Sequence, residues 1–231
     1  MTNYVFKPPA QISVAVAGSD DRFPVNRVFC VGRNYAAHVK EMGFDPEREE
    51  PFYFTKSTSA VIPAGSEIPF PPGTNNFHHE MELVIAIGKS GFKTPVDEAL
   101  SLIYGYACGL DMTRRDLQLA ARDKGRPWSL GKDIEDGAVM GAIHPADTIG
   151  HPGNGRIWLT VNGASRQDSD LANLIWAVPE IIAHLSQFYH LVPGDLIYTG
   201  TPDGVGPVVA GDLIEGGIDG IGHISLKIRA G

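Results

Sequence analysis

Cysteine and long hydrophobic runs are both scarce in this sequence of 231 residues. The two cysteines, Cys30 and Cys108, lie in short apolar segments, which is typical of buried reduced thiols and argues against a disulfide framework. No run of about 18 apolar residues occurs, and residues 1–11 lack the basic and then apolar pattern of a signal peptide. We therefore expect a soluble, cytoplasmic protein that does not enter a membrane.

Positive charge is also in deficit. Lysine and arginine number 19 against 27 acidic residues, and they are scattered, so no basic surface is predicted and nucleic acid is excluded as a partner. By contrast, 27 glycines and 17 prolines divide the apolar segments into short runs, which indicates many turns and short strands. The sequence predicts one mostly β domain of the α+β class over residues 1–231, with residues 1–26 as a short N-terminal β extension.

A few helices interrupt this pattern. Helical spacing and capping residues predict three of them: Tyr35–Met42 capped by Asn34, Arg114–Lys124 capped by Thr113, and Val178–His190 with Phe188 and Tyr189 on its buried face. The charged segment that follows the first helix has no apolar anchor. Residues 38–50 are therefore either a mobile lid over a site or a solvated loop.

Three carboxylates stand out against apolar surroundings. Glu80 and Glu82 begin a hydrophobic strand, and a period of two places both on one face, where their charges repel unless a cation binds. Asp111 ends another apolar strand; it is either a helix-capping residue or a third ligand. Three oxygen ligands favour magnesium, manganese or calcium over zinc, whereas an exposed Glu-x-Glu pair would need no ion at all.

Other polar residues have the spacing of catalytic or binding groups. His38 and Glu41 lie three apart on one helical face, as a general base and the residue that orients it, or as a plain surface pair. Arg115 and Gln118 are placed to reach toward Asp111, and Lys132 follows an apolar stretch that favours a desolvated cation. The turn that includes Gly200 and Thr201 offers amides and hydroxyls to an anion, or is a simple β-turn.

Five motifs in order resemble the fumarylacetoacetate hydrolase family, over about residues 28–227. They are Gly32-Arg33-Asn34-Tyr35 followed by His38, His78-x-Glu80-x-Glu82, Leu110-Asp111 followed by Arg115 and Gln118, Lys132, and Thr199-Gly200-Thr201-Pro202. The stretches 173–180 and 193–202 are most similar to the short fumarylpyruvate hydrolases and other acylpyruvases. Two departures occur: Ser57 follows Lys56 where proline is common, and the acidic segment 133–136 follows Lys132, which puts a carboxylate-bearing acyl group in doubt.

The resemblance implies a rolled β-sandwich, a homodimer and a magnesium or manganese ion. It implies metal ligands at Glu80, Glu82 and Asp111, a water-activating pair of His38 and Glu41 acting with Lys132, and substrate contacts from Arg33, Tyr35, Arg115, Gln118, Lys132, Gly200 and Thr201. The implied reaction is hydrolysis of an acylpyruvate, with fumarylpyruvate the first candidate. Oxaloacetate decarboxylation or keto–enol isomerisation at the same site, and a metal-stabilised binding protein without turnover, are the alternatives.

Overall fold

The structure, a computed structural model, describes residues 2–43 and 49–231. Its strands are short, as the glycine and proline spacing predicted. The strands in this part of the chain are β1 (Ser13–Ala15), β2 (Arg22–Pro24), β3 (Arg27–Gly32), β4 (Phe52–Lys56), β5 (Val61–Pro63), β6 (Ser66–Pro69), β7 (Phe77–His79), β8 (Met81–Ile87), β9 (Ile103–Asp111), β10 (Thr113–Arg114), β11 (Ala138–Met140), β12 (His144–Pro145), β13 (Arg156–Val161), β14 (Ala164–Asp170), β15 (Asp195–Tyr198), β16 (Gly206–Val208), β17 (Leu213–Ile218) and β18 (Gly222–Arg229).

The helices are short as well. They are α1 (Ala36–Glu41), α2 (Val96–Ala99), α3 (Arg115–Asp123), α4 (Ser129–Lys132), α5 (Ala146–Ile149) and α6 (Val178–Leu185), with 3-10 turns at Thr58–Ala60, Leu100–Leu102 and Leu171–Asn173. No helix in the described ranges is long and apolar enough to cross a membrane.

Over residues 2–43 and 49–231 the strands form four sheets. The largest has eight strands, in the order β4-β3-β15-β8-β9-β11-β5 with β12 also paired to β9, and a second has the order β14-β13-β17-β18-β6. A three-stranded sheet, β10-β7-β16, and the β1-β2 hairpin complete the set. Most pairs are antiparallel, but β3 runs parallel to β15, which lies far along the chain. This mostly β, curled architecture confirms the predicted fold class.

The eight-stranded sheet is buried on both faces. Along β8, Leu83 and Ile85 belong to a core cluster shared with the five-stranded sheet and α6, whereas Val84 and Ala86 belong to a second cluster shared with the N-terminal hairpin. A strand that is covered on both faces reads as a continuous apolar run, which is the pattern of β8. Glu82, the one charged residue of β8, therefore lies in the centre of the core, 1% exposed.

Two of the predicted helix caps are wrong. Tyr35 occupies the N-cap position of α1, and the Asn34 amide instead donates to the carbonyl oxygens of Trp176 and Thr199, at 3.0 and 2.8 Å. The Thr113 hydroxyl does not cap α3, because it donates to the Asp111 carbonyl at 3.0 Å. Asn34 therefore binds segments far along the chain, which its local sequence does not encode, whereas Thr113 binds the backbone two residues before it.

The last predicted helix is shorter than expected. Helix α6 ends at Leu185, and Phe188 and Tyr189 are 66% and 42% exposed, so the prediction that both are buried on its inner face is wrong. The chain turns after Leu185 because Leu191 bridges to Gly91, which takes the segment off the helical path. Part of the predicted lid, residues 44–48, lies outside the described residues.

Candidate active site

The three predicted carboxylates come together where β8 and β9 meet. These strands pair antiparallel with Met81 opposite Leu110, so Glu80 lies opposite Asp111 and the Asp111 amide donates to the Glu80 carbonyl at 2.9 Å. Carboxylate oxygens of Glu80, Glu82 and Asp111 all lie within 4.8 Å of one another, and each residue is at most 4% exposed. Two strands thus build a buried cluster made only of oxygen ligands.

Among the described residues, three cations contact this cluster. The Lys132 ammonium lies 2.6 Å from Glu80 Oε2, 2.7 Å from Asp111 Oδ2 and 2.9 Å from the Thr113 hydroxyl. Lys56 Nζ lies 2.7 Å from Asp111 Oδ1. Arg115 donates to Glu80 and to the Gln118 side chain. The expectation that Arg115 reaches Asp111 is wrong, because its backbone amide is held by the Asn76 carbonyl beside β7 and directs it to Glu80.

The carboxylates differ in how well their charge is compensated. Burial opposes ionisation of Glu80, but Lys132 and Arg115 outweigh it and hold the pKa of Glu80 well below its ordinary value. Burial, followed by the charges of Asp111 and Glu80, raises the pKa of Glu82 well above its ordinary value, although the Gly200 amide donates to Glu82 at 2.7 Å. Glu82 is thus the carboxylate that gains most from a bound cation.

The residues present fit a hard divalent ion. Buried carboxylates that share one space, without sulfur or imidazole among them, are the donor set preferred by magnesium, manganese and calcium. A further buried polar atom lies in the same region: the Tyr35 hydroxyl has no hydrogen-bond partner among the described residues, and burial and then the charge of Glu82 raise its pKa. Tyr35 is 1% exposed and lies close enough to Glu82 to feel its charge.

The two residues predicted as a general base and its orienting carboxylate, His38 and Glu41, are in contact within α1. His38 Nδ1 lies 3.0 Å from Glu41 Oε2, and the Gly204 amide donates to both Glu41 oxygens at 3.1 and 3.2 Å. Burial opposes the ionised form of Glu41, but the contacts with His38 and Gly204 prevail and lower its pKa. An ionised Glu41 that accepts from Nδ1 leaves His38 Nε2 as an acceptor, which is the tautomer a general base needs.

A cavity joins this pair to the carboxylates. Its walls include Arg33, His38, Glu80, Glu82, Arg115, Gln118, Lys132 and Thr201, and its free volume is about 40 Å³. An adjoining, more open cavity of about 540 Å³ shares Arg33 and Lys132 and adds Arg126, Phe52 and Ser129. Arg33 reaches the shared wall from a left-handed backbone conformation, with φ of 58°, that is uncommon outside glycine.

The turn after β15 contributes mainly through its backbone. Gly200 has φ of 99°, and a Cβ there would lie 2.8 Å from the Cβ of Asn34, so only glycine fits where its amide meets Glu82. Thr201 lines the cavity, and its hydroxyl accepts from the Gln167 side chain at 2.8 Å. The predicted anion-binding turn therefore faces the site, but the Gly200 amide is used by the protein itself.

Three residues that organise the site were not found from the sequence. Lys56 ends β4 after four uncharged strand residues, a pattern that marks a lysine at the edge of the core. Gln167 lies in a polar, largely exposed strand and gives no signal. Gly204 was not singled out, although its φ of 88° and the carbonyl of Arg166, 1.9 Å from an added Cβ, permit only glycine.

His78 and His79 precede the carboxylates but line neither cavity described above. Burial lowers the pKa of each to about 4.

The two departures from the family pattern contact each other. The Ser57 amide donates to Asp133 Oδ1 at 2.6 Å, and the Ser57 hydroxyl donates to Asp133 Oδ2 at 2.8 Å. Proline at 57 would lack the first of these donors. Asp133 lines neither cavity, and its carboxylate accepts both hydrogen bonds from Ser57. Its side chain is therefore directed at Ser57 and not at the space for an acyl group.

Comparison with known proteins identifies the class. The family model described as fumarylacetoacetate (FAA) hydrolase C-terminal matches residues 27–229, and the chain belongs to this family. The predicted family membership is confirmed, and the fold and the clustered carboxylates are those on which the expectation rested.

Individual relatives are similar over most of their length. A fumarylpyruvate hydrolase from Ralstonia sp. is 58% identical over 184 residues, which cover 80% of this chain and 95% of the relative. The crystal structure of fumarylpyruvate hydrolase from Pseudomonas aeruginosa in complex with Mn²⁺ and pyruvate is 52% identical, with a TM-score of 0.97 over 99% of this chain and 100% of that one. The mitochondrial oxaloacetate tautomerase FAHD1 of Mus musculus is 43% identical over 202 residues, 87% of this chain and 91% of the relative.

Proposed function

We propose that this protein is a divalent-metal-dependent hydrolase that cleaves the carbon–carbon bond of an acylpyruvate, with fumarylpyruvate converted to fumarate and pyruvate. The observation that carries the proposal is the buried cluster of Glu80, Glu82 and Asp111, two of which, Glu80 and Glu82, line one cavity with His38, the partner of Glu41. Support comes from the activity of the Ralstonia relative and from the Mn²⁺ and pyruvate bound in the Pseudomonas structure.

Glu80, Glu82 and Asp111 would hold Mg²⁺ or Mn²⁺. When bound, the ion supplies Lewis acidity toward the 2-oxo acid end of the substrate and so stabilises the enolate that must leave. Arg115, Gln118 and Lys132 surround the same space and bind the carboxylate of that end. Lys132 directs its three protons at Glu80, Asp111 and Thr113, so it turns toward substrate when those oxygens are engaged elsewhere.

His38 provides the step that distinguishes hydrolysis. Its Nε2 takes a proton from water, and the resulting hydroxide attacks the distal carbonyl carbon, while Glu41 holds the ring through Nδ1. The tetrahedral intermediate collapses with cleavage of the carbon–carbon bond, which gives a carboxylic acid and the enolate of pyruvate. Proton return to the enolate carbon completes the addition of one water, and no covalent bond to the enzyme is needed.

The more open cavity suits the acyl arm. Arg33 and Arg126 line it together with Phe52 and Trp128, so it combines flat apolar walls with positive charge, as a conjugated dicarboxylate product such as fumarate requires. Arg33, which lines both cavities, and Thr201, which lines the smaller one, contact the substrate. Gly200 and Tyr35 act on the substrate indirectly, through Glu82: the Gly200 amide donates to Glu82, and Tyr35 lies near it.

Oxaloacetate tautomerisation is the second candidate. It is favoured by the tautomerase relative at 43% identity and by the chemistry, because both reactions pass through an enolate of a 2-oxo acid, that of oxaloacetate in tautomerisation and that of pyruvate in hydrolysis. Decarboxylation of oxaloacetate also gives the enolate of pyruvate, and neither reaction of oxaloacetate needs an activated water. A homodimer is part of the same proposal and rests on the family resemblance. A cytoplasmic location and a single domain with a lid at residues 38–50 are also part of it and rest on the sequence.

The test is pyruvate release from fumarylpyruvate, acetylpyruvate and oxaloacetate with Mn²⁺ or with chelator, alongside loss of the enol absorbance of oxaloacetate. We expect chelator-sensitive release from the diketo acids, lost in Glu82→Ala and reduced by roughly 10²- to 10⁴-fold in His38→Ala. His223→Ala, which changes an exposed histidine beside Trp158, is the matched control. Full acylpyruvate hydrolysis by His38→Ala would remove the hydrolase mechanism, and activity confined to oxaloacetate would favour the second candidate.

A further inference from the structure

Lys56 is a buried cation that the proposed reaction does not use. It ends β4, and its side chain is 0% exposed. The ammonium lies 2.7 Å from Asp111 Oδ1 and 3.1 Å from the Met112 carbonyl oxygen, and it also donates to the carbonyl of Lys132. The ammonium thus makes two hydrogen bonds to backbone carbonyls and an ion pair with Asp111, so it faces the frame of the site.

These contacts fix the direction of Asp111. Its Oδ1 forms an ion pair with Lys56 but accepts no hydrogen bond among the described residues, and its Oδ2 accepts from Lys132 beside Glu80. The neighbouring residues strengthen the arrangement, because Ser57 and Asp133 bind each other through two hydrogen bonds and so join the end of β4 to the end of α4. Lys56 thus orients one metal ligand and, through its bond to the backbone of Lys132, a second group of the site.

The charge of Lys56 completes a balance. Glu80, Glu82 and Asp111 carry three negative charges when ionised, and the cations in contact with them, Lys56, Lys132 and Arg115, carry three positive charges. A divalent ion therefore leaves this frame with two positive charges. In a buried setting such an excess is unfavourable until an anion of equal charge joins it. The enolate of a 2-oxo acid, with its carboxylate, has that charge.

We propose that Lys56 is a positioning residue that also sets the charge of the metal site. As a result, the site binds the ion weakly when no other ligand is present and tightly when a dianion binds with it. The inference rests on the proposed function only in assuming that the carboxylates bind a divalent ion. Its catalytic meaning is that the frame is neutralised by the enolate and not by the singly charged keto acid, which favours the reacting state over the substrate.

The experiment measures Mn²⁺ affinity from the electron paramagnetic resonance signal of the free ion, without ligand and with oxalate (a planar dianion) or oxamate (its singly charged analogue). Each enhancement is corrected for the affinity of the ligand for Mn²⁺ in solution. The proteins are the wild type, the neutral variant Lys56→Gln, the charged variant Lys56→Arg and the control Lys124→Gln, whose lysine is exposed at the end of α3. Circular dichroism verifies that each one is folded.

We expect Lys56→Gln to bind Mn²⁺ alone roughly tenfold more tightly or better, because a positive charge next to the site is gone. Its enhancement by oxalate relative to oxamate should fall, and Lys56→Arg and Lys124→Gln should match the wild type. A purely structural lysine gives the opposite sign, since a disordered Asp111 binds the ion less tightly.

Two results would overturn the inference: unchanged or weaker Mn²⁺ binding by folded Lys56→Gln, or equal enhancement by oxalate and oxamate in the wild type. The second comparison needs no variant, so it decides the matter even when Lys56→Gln does not fold. Absence of Mn²⁺ binding by wild type that also releases no pyruvate would instead refute the proposed function, and the two failures are thereby separate.

Discussion

Replacing Glu82 with glutamine should stabilise the metal-free protein. Glu82 is 1% exposed, and its carboxylate oxygens share a space no wider than 4.8 Å with those of Glu80 and Asp111. At that distance and an effective dielectric constant of about 20, one like-charge pair costs about 3 kcal/mol. The protein can avoid this cost by protonating Glu82, but at pH 7 protonation from an ordinary pKa of 4.5 also costs about 3 kcal/mol.

Charge repulsion and protonation of Glu82 thus cost similar amounts of free energy. Part of the stability gained by removing this cost is lost again in Glu82→Gln. The Gly200 amide donates to a charged oxygen in the wild type and to a neutral amide oxygen in Glu82→Gln, which weakens that hydrogen bond by about 1 kcal/mol. The net gain is therefore about 2 kcal/mol, which corresponds to an increase in melting temperature of about 4–8 °C for a domain of this size.

The stability of the wild type relative to Glu82→Gln should also depend on pH. Folding raises the pKa of Glu82, so its contribution to stability is complete below the unfolded pKa and is lost as pH rises toward the folded value. In EDTA, the wild type should therefore lose stability between pH 5 and 7 relative to Glu82→Gln, by up to about 1.4 kcal/mol per pH unit.

Melting curves in EDTA at pH 5, 6, 7 and 8 measure both effects, with Glu215→Gln as control for an exposed strand glutamate. The control should change the free energy of unfolding by less than about 0.5 kcal/mol. An equal or lower melting temperature for Glu82→Gln at pH 7, with an unchanged pH trend, would refute the view that Glu82 is held against its charge.

Three further predictions concern the ion and the base. Mn²⁺ at a hundred times its dissociation constant should stabilise the wild type by about 2.7 kcal/mol, and an unchanged melting temperature would argue against a metal site. Glu41→Gln should lower kcat for fumarylpyruvate about tenfold or more with little change in Mn²⁺ affinity, because it weakens the support of His38 and leaves the carboxylates intact. Gly204→Ala should lower the melting temperature and kcat together, since its Cβ would lie 1.9 Å from the Arg166 carbonyl and its amide holds Glu41; unchanged kinetics would show that this anchor is dispensable.

The three carboxylates could be selected as candidate metal ligands because their signal is local. Glu80 and Glu82 are two apart at the start of an apolar strand, and Asp111 ends another, so strand periodicity and the cost of a buried charge indicated them, and the family resemblance implied the role of ligands. His38 and Glu41 were found in the same way, from the spacing of three in a helix. In each case the signal lies within a single strand or helix or at its end: Glu80 and Glu82 at the start of one strand, Asp111 at the end of another, and His38 with Glu41 in one helix.

Contacts between distant segments were not predictable in this way. Asn34 has the residue type of a helix cap, yet its side chain donates to the carbonyls of Trp176 and Thr199, which lie far along the chain. The Thr113 hydroxyl, also of a capping type, donates to the Asp111 carbonyl two residues before it and accepts from the distant Lys132. Gln167 supports Thr201 from a strand whose own pattern indicates only an exposed edge. Local propensity offers these side chains a satisfactory partner nearby, and the tertiary structure offers a better one.

Charge in the largest sheet identifies the site without reference to any relative. Its strands contain five charged residues within the described chain: Arg27, Lys56, Glu82, Asp111 and Asp195. Arg27 and Asp195 pair with each other at the starts of β3 and β15, with Nε and Oδ1 2.9 Å apart. The other three meet at one place, from β4, β8 and β9. Buried ion pairs add little stability over apolar residues of similar volume, so the clustering is best explained by what the charges bind. On this argument Lys56 belongs with Glu82 and Asp111 as part of the metal site.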